Sequence, residues 1–186
     1  QLLGLDELLM TITGAAPMRG ELLSWFRAIG VPLSEVYGLS ESSGPITWTP
    51  ERVKPGSVGP ACPGVELALG DDGELLCRGG NVFSGYLDQP AQTAEALRDG
   101  WLHTGDIATV DDDGYVTIVD RKKELIVTAG GKNVSPANPE AALRMIPLVG
   151  QACAVGDARP FIAALVTLDP DDAPAWARAR GIAFDS

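Results

Sequence analysis

The stretch Thr104-Gly105-Asp106-Ile107-Ala108-Thr109-Val110-Asp111-Asp112-Asp113-Gly114-Tyr115-Val116-Thr117-Ile118-Val119-Asp120-Arg121 decides how this chain is read. Ile107 to Val110 and Tyr115 to Val119 are rich in β-branched and aromatic residues. The acidic run ending in Gly114 lies between them as a turn signal. The spacing predicts a β-hairpin. It also puts Arg121 across the hairpin from Asp106. A carboxylate in a tight glycine turn can accept hydrogen bonds from both hydroxyls of a ribose, as acids do in dinucleotide sites. A hairpin-entry turn, or a structural Asp–Arg pair, has the same spacing.

Working back from the hairpin, Val65, Leu67 and Leu69 alternate with Glu66 and Ala68 as in a half-buried strand. Asp71-Asp72-Gly73 turns the chain into Glu74 to Arg78, a second hairpin. A short helix is expected near Ala91 to Leu97. Five prolines between Pro45 and Pro63 exclude long helices there. Residues 57–119 therefore read as an antiparallel, barrel-like unit.

The start of the chain has a different texture. Leu8 to Thr13 is apolar enough for a short buried strand, and Gly14-Ala15-Ala16-Pro17 is a loop of small residues. Met18, Leu22, Leu23, Phe26 and Ile29 recur at helical spacing, with Gly30 as the stop signal. Val31 to Val36 is a further strand. Strand, loop, helix and strand form a βαβ pattern and predict a parallel sheet beside the barrel-like unit.

Beyond the hairpin, Asp120-Arg121-Lys122-Lys123-Glu124 is an abrupt charged run, by default a solvated turn. A domain boundary is placed at 120–123. After it come strand-like Leu125 to Thr128, a helix from about Pro139 to Ile146, and the segments Ala152 to Val155 and Phe161 to Leu168. Asp171 and Asp172 ahead of Arg178 and Arg180 give the charge order of a capped helix.

Composition sets the bounds. The chain has 186 residues, 45% of them hydrophobic, and a net charge of -11. That excess argues against nucleic acid as a partner. Three scattered cysteines fit free thiols in a reducing, cytoplasmic setting better than a disulfide frame or zinc site. No apolar run approaches the length of a membrane span, and peripheral membrane contact is left open. The chain starts without Met in an apolar segment and stops at Ser186 just past a helical stretch; both ends read as cut.

Three further strings offer chemistry. Gly14-Ala15-Ala16-Pro17, at the carboxyl end of a parallel strand, would let a flat ring approach the backbone; a tight turn is the plainer reading. Tyr37-Gly38-Leu39-Ser40-Glu41 should emerge on the same edge. Tyr37 offers a stacking face, Ser40 a hydroxyl for a phosphate oxygen, and Glu41 a hard ligand suited to magnesium. Gly130-Gly131-Lys132 is a double-glycine loop with a basic residue.

Taken in order, Gly14-Ala15-Ala16-Pro17, Tyr37-Gly38-Leu39-Ser40-Glu41, Trp101-Leu102-His103-Thr104-Gly105-Asp106 and Asp120-Arg121-Lys122-Lys123-Glu124-Leu125-Ile126 resemble the adenylate-forming (AMP-binding) superfamily. With Gly130-Gly131-Lys132-Asn133-Val134-Ser135-Pro136 they are most similar to long-chain fatty-acid–CoA ligases (acyl-CoA synthetases). The resemblance covers nearly the whole chain. It implies an α/β plus β-barrel fold. Residues 1–56 would be the end of an α/β sheet subdomain and 57–119 a β-barrel-like subdomain. A hinge would follow at 120–123, then an incomplete C-terminal α+β domain at 124–186.

The resemblance also implies roles. Gly14, Ala15, Ala16 and Pro17 would line an adenine, with Tyr37 stacked on it and Gly38 beside it. Ser40, where the family usually has Thr, would meet the α-phosphate. Glu41 would hold Mg2+, Asp106 the ribose hydroxyls, and Arg121 the ribose or phosphate. Ile118 would pack near the nucleotide, and Lys123 would be the hinge. Gly130 and Gly131 would border the coenzyme A channel. The implied substrates are ATP (leaving AMP), a fatty acid and coenzyme A. The family's phosphate loop and its C-terminal lysine have no counterpart here, so this stretch by itself is expected to be inactive or nearly so. Two other readings are carried: an acyl-AMP ligase or adenylation domain that loads a carrier protein, and a non-catalytic β-rich binding module.

Overall fold

The fold comes from a computed structural model. It describes residues 5, 7–16 and 18–182. Pro17 therefore lies outside the described residues. The chain divides into two compact units, Gln1–Lys122 and Lys123–Ser186.

The first unit opens with the βαβ element. Strand β1 (Thr11–Thr13) runs parallel to β2 (Leu33–Glu35), joined by helix α1 (Gly20–Ala28). The helix starts two residues later than the sequence pattern predicts. Leu23 alone is fully buried along it, and Leu22, Trp25 and Ile29 stay about half exposed. The predicted strand over 8–13 shrinks to its last three residues. Those are the ones that pair with β2.

Strand β3 (Tyr37–Leu39) and β4 (Gly44–Thr47) form an antiparallel pair around a 3-10 turn at Ser40–Ser42. The prolines around Pro45 hid this pair from sequence reading, because proline ordinarily demotes a strand. Gly38 is required by close approach: a Cβ there would come within 2.2 Å of the Gly44 carbonyl oxygen.

Next comes a curled antiparallel half-barrel sheet. Its strands are β5 (Val65–Leu69), β6 (Glu74–Gly79), β7 (Leu97–Arg98), β8 (Trp101–Val110) and β9 (Val116–Arg121), with helix α2 (Pro90–Ala96) between β6 and β7. The order is β5-β6-β8-β7, and β9 pairs with the later half of β8. β8 begins well before Ile107, the first hairpin residue of the sequence reading. Asp106 thus lies inside a ten-residue strand rather than in a turn ahead of one.

Two apolar clusters form the core of this unit. One holds Val58, Leu75, Ala108 and Val116, the other Ile46, Cys77 and Leu102. Tyr37 and Leu67 pack against both. At roughly 25 cal/mol per Å² of apolar area removed from water, this burial is the main term holding the sheet to the β3–β4 pair.

The second unit has a small hairpin, β10 (Ile126–Val127) with β11 (Asn133–Val134). Helix α3 (Ala137–Leu143) follows, then β12 (Val149–Val155) paired antiparallel with β13 (Ala163–Leu168), and helix α4 (Asp172–Ala179). Glu140 ties α3 to β12 by accepting the Ala154 N–H at 2.8 Å. No helix among the described residues is long and apolar enough to cross a membrane.

Candidate functional site

Asp106 is the centre of the site. In β8 the buried positions alternate as Leu102, Thr104, Asp106 and Ala108, so a carboxylate occupies a core-facing position, and it is 3% exposed. Burying an ionised carboxylate is costly unless it is paired and hydrogen-bonded.

Several local features aim it. Gly105 adopts φ +73, a left-handed conformation that glycine takes without strain. The β6–β8 register shifts across this point, between Glu74 and Leu76. Thr104 Oγ1 donates to the Leu75 carbonyl at 2.7 Å and accepts the Asp106 N–H at 3.1 Å.

Two side chains then meet the carboxylate. Arg121 is its register partner in β9, with Nε 2.9 Å from Oδ1. Tyr37 donates its hydroxyl to Oδ2 at 2.5 Å. Burial, and the bond to Asp106, push the Tyr37 phenol far above its usual range, so it remains a donor at every ordinary pH.

The register of β8–β9 also slips between Ile107 and Ala108. Val119 is the extra residue, a bulge of the kind that re-aims side chains next to functional sites. Ile118, just before it, packs against the Leu75–Val116 cluster.

Strand β3 leads directly from Tyr37 to the second group. Ser40 is exposed on the 3-10 turn. Glu41 Oε1 accepts the Tyr86 hydroxyl at 2.7 Å, and its carbonyl accepts the Phe83 N–H at 2.8 Å. Tyr86 is in turn held by its N–H to Thr93 Oγ1 at 2.9 Å. Its phenol is raised by the Glu41 carboxylate first and by burial second.

Gly14, Ala15 and Ala16 leave β1 at the end where Val36 and Tyr37 leave β2, because the two strands are parallel. The Val36 N–H donates to the Thr13 carbonyl at 2.9 Å. A Cβ on Gly14 would meet Val36 Cγ1 at 2.9 Å. Ala15 takes φ +70 without being glycine, a conformation that costs about 1–3 kcal/mol and clusters at ligand-binding loops.

The structure thus joins Tyr37, Asp106 and Arg121 into one bonded group. Glu41 belongs to a second group, one turn further along the same strand pair. Lys123, Gly130 and Gly131 belong to the second unit. Lys123 is its first residue and exposed. Gly130 and Gly131 form the tip of the β10–β11 hairpin. There the Gly131 N–H donates to the Thr128 carbonyl at 2.8 Å, and Gly131 has φ +75.

The sequence reading missed Tyr86, Glu74 and Lys122. Tyr86 had one local cue, the Phe83-Ser84-Gly85-Tyr86 break before the Pro90 helix. The partners of Glu74 and Lys122 are distant in sequence and left no local signal. All three cysteines are free thiols. Among the described residues no three His, Cys, Asp or Glu side chains gather as a metal cluster.

A short parallel βαβ element, a curled antiparallel half-barrel and a small α+β unit, with a Tyr–Asp–Arg group on the half-barrel, define an adenylate-forming enzyme fold. The AMP-binding enzyme family matches residues 3–87, and its C-terminal domain matches residues 123–179. The chain belongs to the AMP-binding enzyme family.

It is 51% identical over 166 residues to long-chain-fatty-acid–CoA ligase FadD15 of Mycobacterium tuberculosis, covering 89% of this chain and 28% of that protein. It is 41% identical over 174 residues to long-chain-fatty-acid–CoA ligase ACSBG2 of Gallus gallus, covering 89% of this chain and 23% of that one. Among solved structures it matches o-succinylbenzoate CoA synthetase of Bacillus subtilis in complex with the acyl-adenylate intermediate OSB-AMP. There the TM-score is 0.81 at 27% identity, over 95% of this chain and 40% of the other. The chain therefore spans about a quarter to two-fifths of the proteins it matches.

Proposed function

We propose that this chain supplies the nucleotide side of an ATP-dependent long-chain fatty-acid–CoA ligase. The observation that carries the reading is the buried Asp106 carboxylate, held by Tyr37 and Arg121 within an AMP-binding fold. The acyl substrate and the thiol acceptor are taken from the relatives named above.

In the proposed reaction a carboxylate oxygen of the fatty acid attacks the α-phosphorus of ATP. The bond to the β-phosphate oxygen breaks, and pyrophosphate leaves with the electron pair. The sulfur of coenzyme A then attacks the acyl carbon, the thiol proton passes to solvent, and AMP leaves. Neither step needs a protein nucleophile; positioning and charge neutralisation carry the rate.

The chain's own residues divide that work. Asp106 accepts the ribose hydroxyls, and Tyr37 and Arg121 hold it in place. The Gly14–Ala16 loop and the Tyr37 ring border the base, with Gly38 beside it. Ile118 backs the same wall, and the exposed Ser40 hydroxyl meets the α-phosphate. Arg121, 53% exposed at its side chain, has guanidinium donors to spare for ribose or phosphate.

Magnesium fits the donor set. The ion is ordinarily held by one or two carboxylates together with substrate phosphates and water, so a single carboxylate at a phosphate-facing turn is sufficient protein ligation. Glu41 would hold it, with Tyr86 bonded to Oε1 and fixing the carboxylate's rotation. When bound, the ion would neutralise phosphate charge. Lys123 is assigned as the pivot between half-reactions, and Gly130 and Gly131 as a border of the coenzyme A path. The setting is cytoplasmic.

Calorimetric titration with AMP tests the reading. Saturable binding that requires Asp106 supports it; a protein with no affinity for AMP or ATP refutes it.

A further inference from the structure

The segment between β6 and α2, residues 80–89, belongs to no strand or helix, yet it carries the side chain that bonds Glu41. Three bonds lay this segment over the 3-10 turn. Asn81 Nδ2 donates to the Ser42 carbonyl at 3.2 Å, the Phe83 N–H to the Glu41 carbonyl at 2.8 Å, and the Tyr86 hydroxyl to Glu41 Oε1 at 2.7 Å. The Phe83 and Tyr86 rings meet edge to face, with centroids 4.8 Å apart. Glu41 is thus held at its backbone and at its carboxylate by one irregular loop. A side chain fixes its partner only as firmly as it is itself fixed.

Thr93 in α2 supplies that second hold. Its Oγ1 donates to the Gln89 carbonyl at 3.0 Å and accepts the Tyr86 N–H at 2.9 Å. The first bond is the ordinary back-bond of a helical threonine to the carbonyl four residues earlier. The second leaves the helix and ends on the residue that bonds Glu41. The main-chain N–H of Gln89 donates to the Tyr86 carbonyl at 3.2 Å, so Tyr86 is tied at both of its backbone groups. Gly85 makes the close approach possible. It has φ +142, and a Cβ there would lie 2.5 Å from Thr93 Cγ2 and 2.8 Å from Oγ1.

We propose that Thr93 is a positioning residue for the Glu41 carboxylate: it holds Tyr86 where its hydroxyl fixes Oε1, and through Glu41 it serves the magnesium-bound polyphosphate of ATP rather than the base or the ribose. The nucleotide part of this inference rests on the function proposed above; the hold of Thr93 on the Tyr86–Glu41 bond does not.

The test compares Thr93→Val and Thr93→Ala, which lose the hydroxyl, with Thr93→Ser, which keeps it. Tyr86→Phe and the double variant Thr93→Val/Tyr86→Phe complete the set, and circular dichroism confirms that each is folded. Without ligand, amide exchange follows the Tyr86 N–H. The NMR shift of the hydroxyl-bearing ring carbon, assigned by its loss in Tyr86→Phe, follows the bond to Glu41. In Thr93→Val and Thr93→Ala the Tyr86 amide should exchange at least about tenfold faster, having lost its local protection, and the ring-carbon shift should move toward that of a solvated tyrosine. Calorimetry should show ATP with magnesium bound about threefold more weakly, a fraction of one hydrogen bond, and AMP bound as before. Thr93→Ser should match the wild type in each reading. The double variant should bind ATP no more weakly than Tyr86→Phe alone, because Thr93 acts through that hydroxyl. An unchanged ring-carbon shift in Thr93→Val and Thr93→Ala would overturn the hold on Glu41. Equal losses for AMP and ATP, or a double variant whose loss is the product of the two single losses, would overturn the positioning role. A wild type that binds neither nucleotide would count against the proposed function, and the Tyr86 readings would still decide whether Thr93 sets the Tyr86–Glu41 bond.

Discussion

Arg121 stands opposite Asp106 in the β8–β9 ladder, its Nε 2.9 Å from Oδ1, with the acid side chain 4% exposed and the arginine 53% exposed. One partner of the pair is sunk in the sheet and the other reaches solvent. Such a pair presents a fixed charge from the inside and mobile donors to the outside. Arg121→Lys keeps the charge but loses the planar fork. AMP affinity should fall about tenfold, as for a lost charge-assisted bond, while thermal stability changes little. Calorimetry and a melting curve on the same sample check both parts.

Gly38→Ala should unfold the β3–β4 pair. Its Cβ would sit 2.2 Å from the Gly44 oxygen and 2.8 Å from the Gly44 carbon, both backbone atoms. Overpacking that cannot relax costs about 3 kcal/mol. Urea denaturation should show that loss. Gly44→Ala faces a different obstacle, since Gly44 has open space but φ +133.

Two buried acids should give opposite pH responses. Glu74 is held below its ordinary 4.5, against a burial effect that alone would raise it. Its contribution to stability is full above that value and is lost as pH falls through the lowered one. Glu35 is raised above 4.5 by burial, which outweighs the bond it accepts from the Met18 N–H. Its contribution is present below 4.5 and is lost as pH rises through the raised value. Melting curves between pH 3 and 8 should therefore show Glu35→Gln gaining on the wild type as pH rises. Glu74→Gln should fall behind as pH rises from the acid end. Parallel profiles would show that neither acid is perturbed.

Tyr86→Phe removes the hydroxyl that fixes Glu41 Oε1. If Glu41 serves a magnesium-bound phosphate, the variant should bind ATP with magnesium about fivefold more weakly, the scale of one hydrogen bond, and bind AMP as before. An equal loss for both nucleotides would mean that Tyr86 only braces the turn.

Local sequence made some of this legible. The Asp111–Gly114 turn marks the hairpin and sets its first pairs, but that register alone would put Asp120 opposite Asp106; the Val119 bulge, which the sequence does not signal, brings Arg121 there. The alternation of Val65, Leu67 and Leu69 shows one face of the sheet. Helix α1 is visible from its spacing, with Leu23 on the buried side. The β3–β4 pair was not legible, because Gly44-Pro45 reads as a breaker. The Tyr37–Asp106 bond spans 69 residues of sequence. The Glu74–Lys122 contact spans 48 and joins two charges that each read as solvated turn residues. Such pairings are made by the curl of the sheet, which sequence periodicity does not encode.

The central claim is that Asp106 anchors a nucleotide. Titrate AMP into the wild type and into Asp106→Asn, with circular dichroism confirming that both are folded. Saturable binding by the wild type and an affinity at least about tenfold weaker in the variant, the scale of lost bonds to a charged group, is the predicted result. Equal affinity in the two proteins, or no binding by the folded wild type, would contradict it.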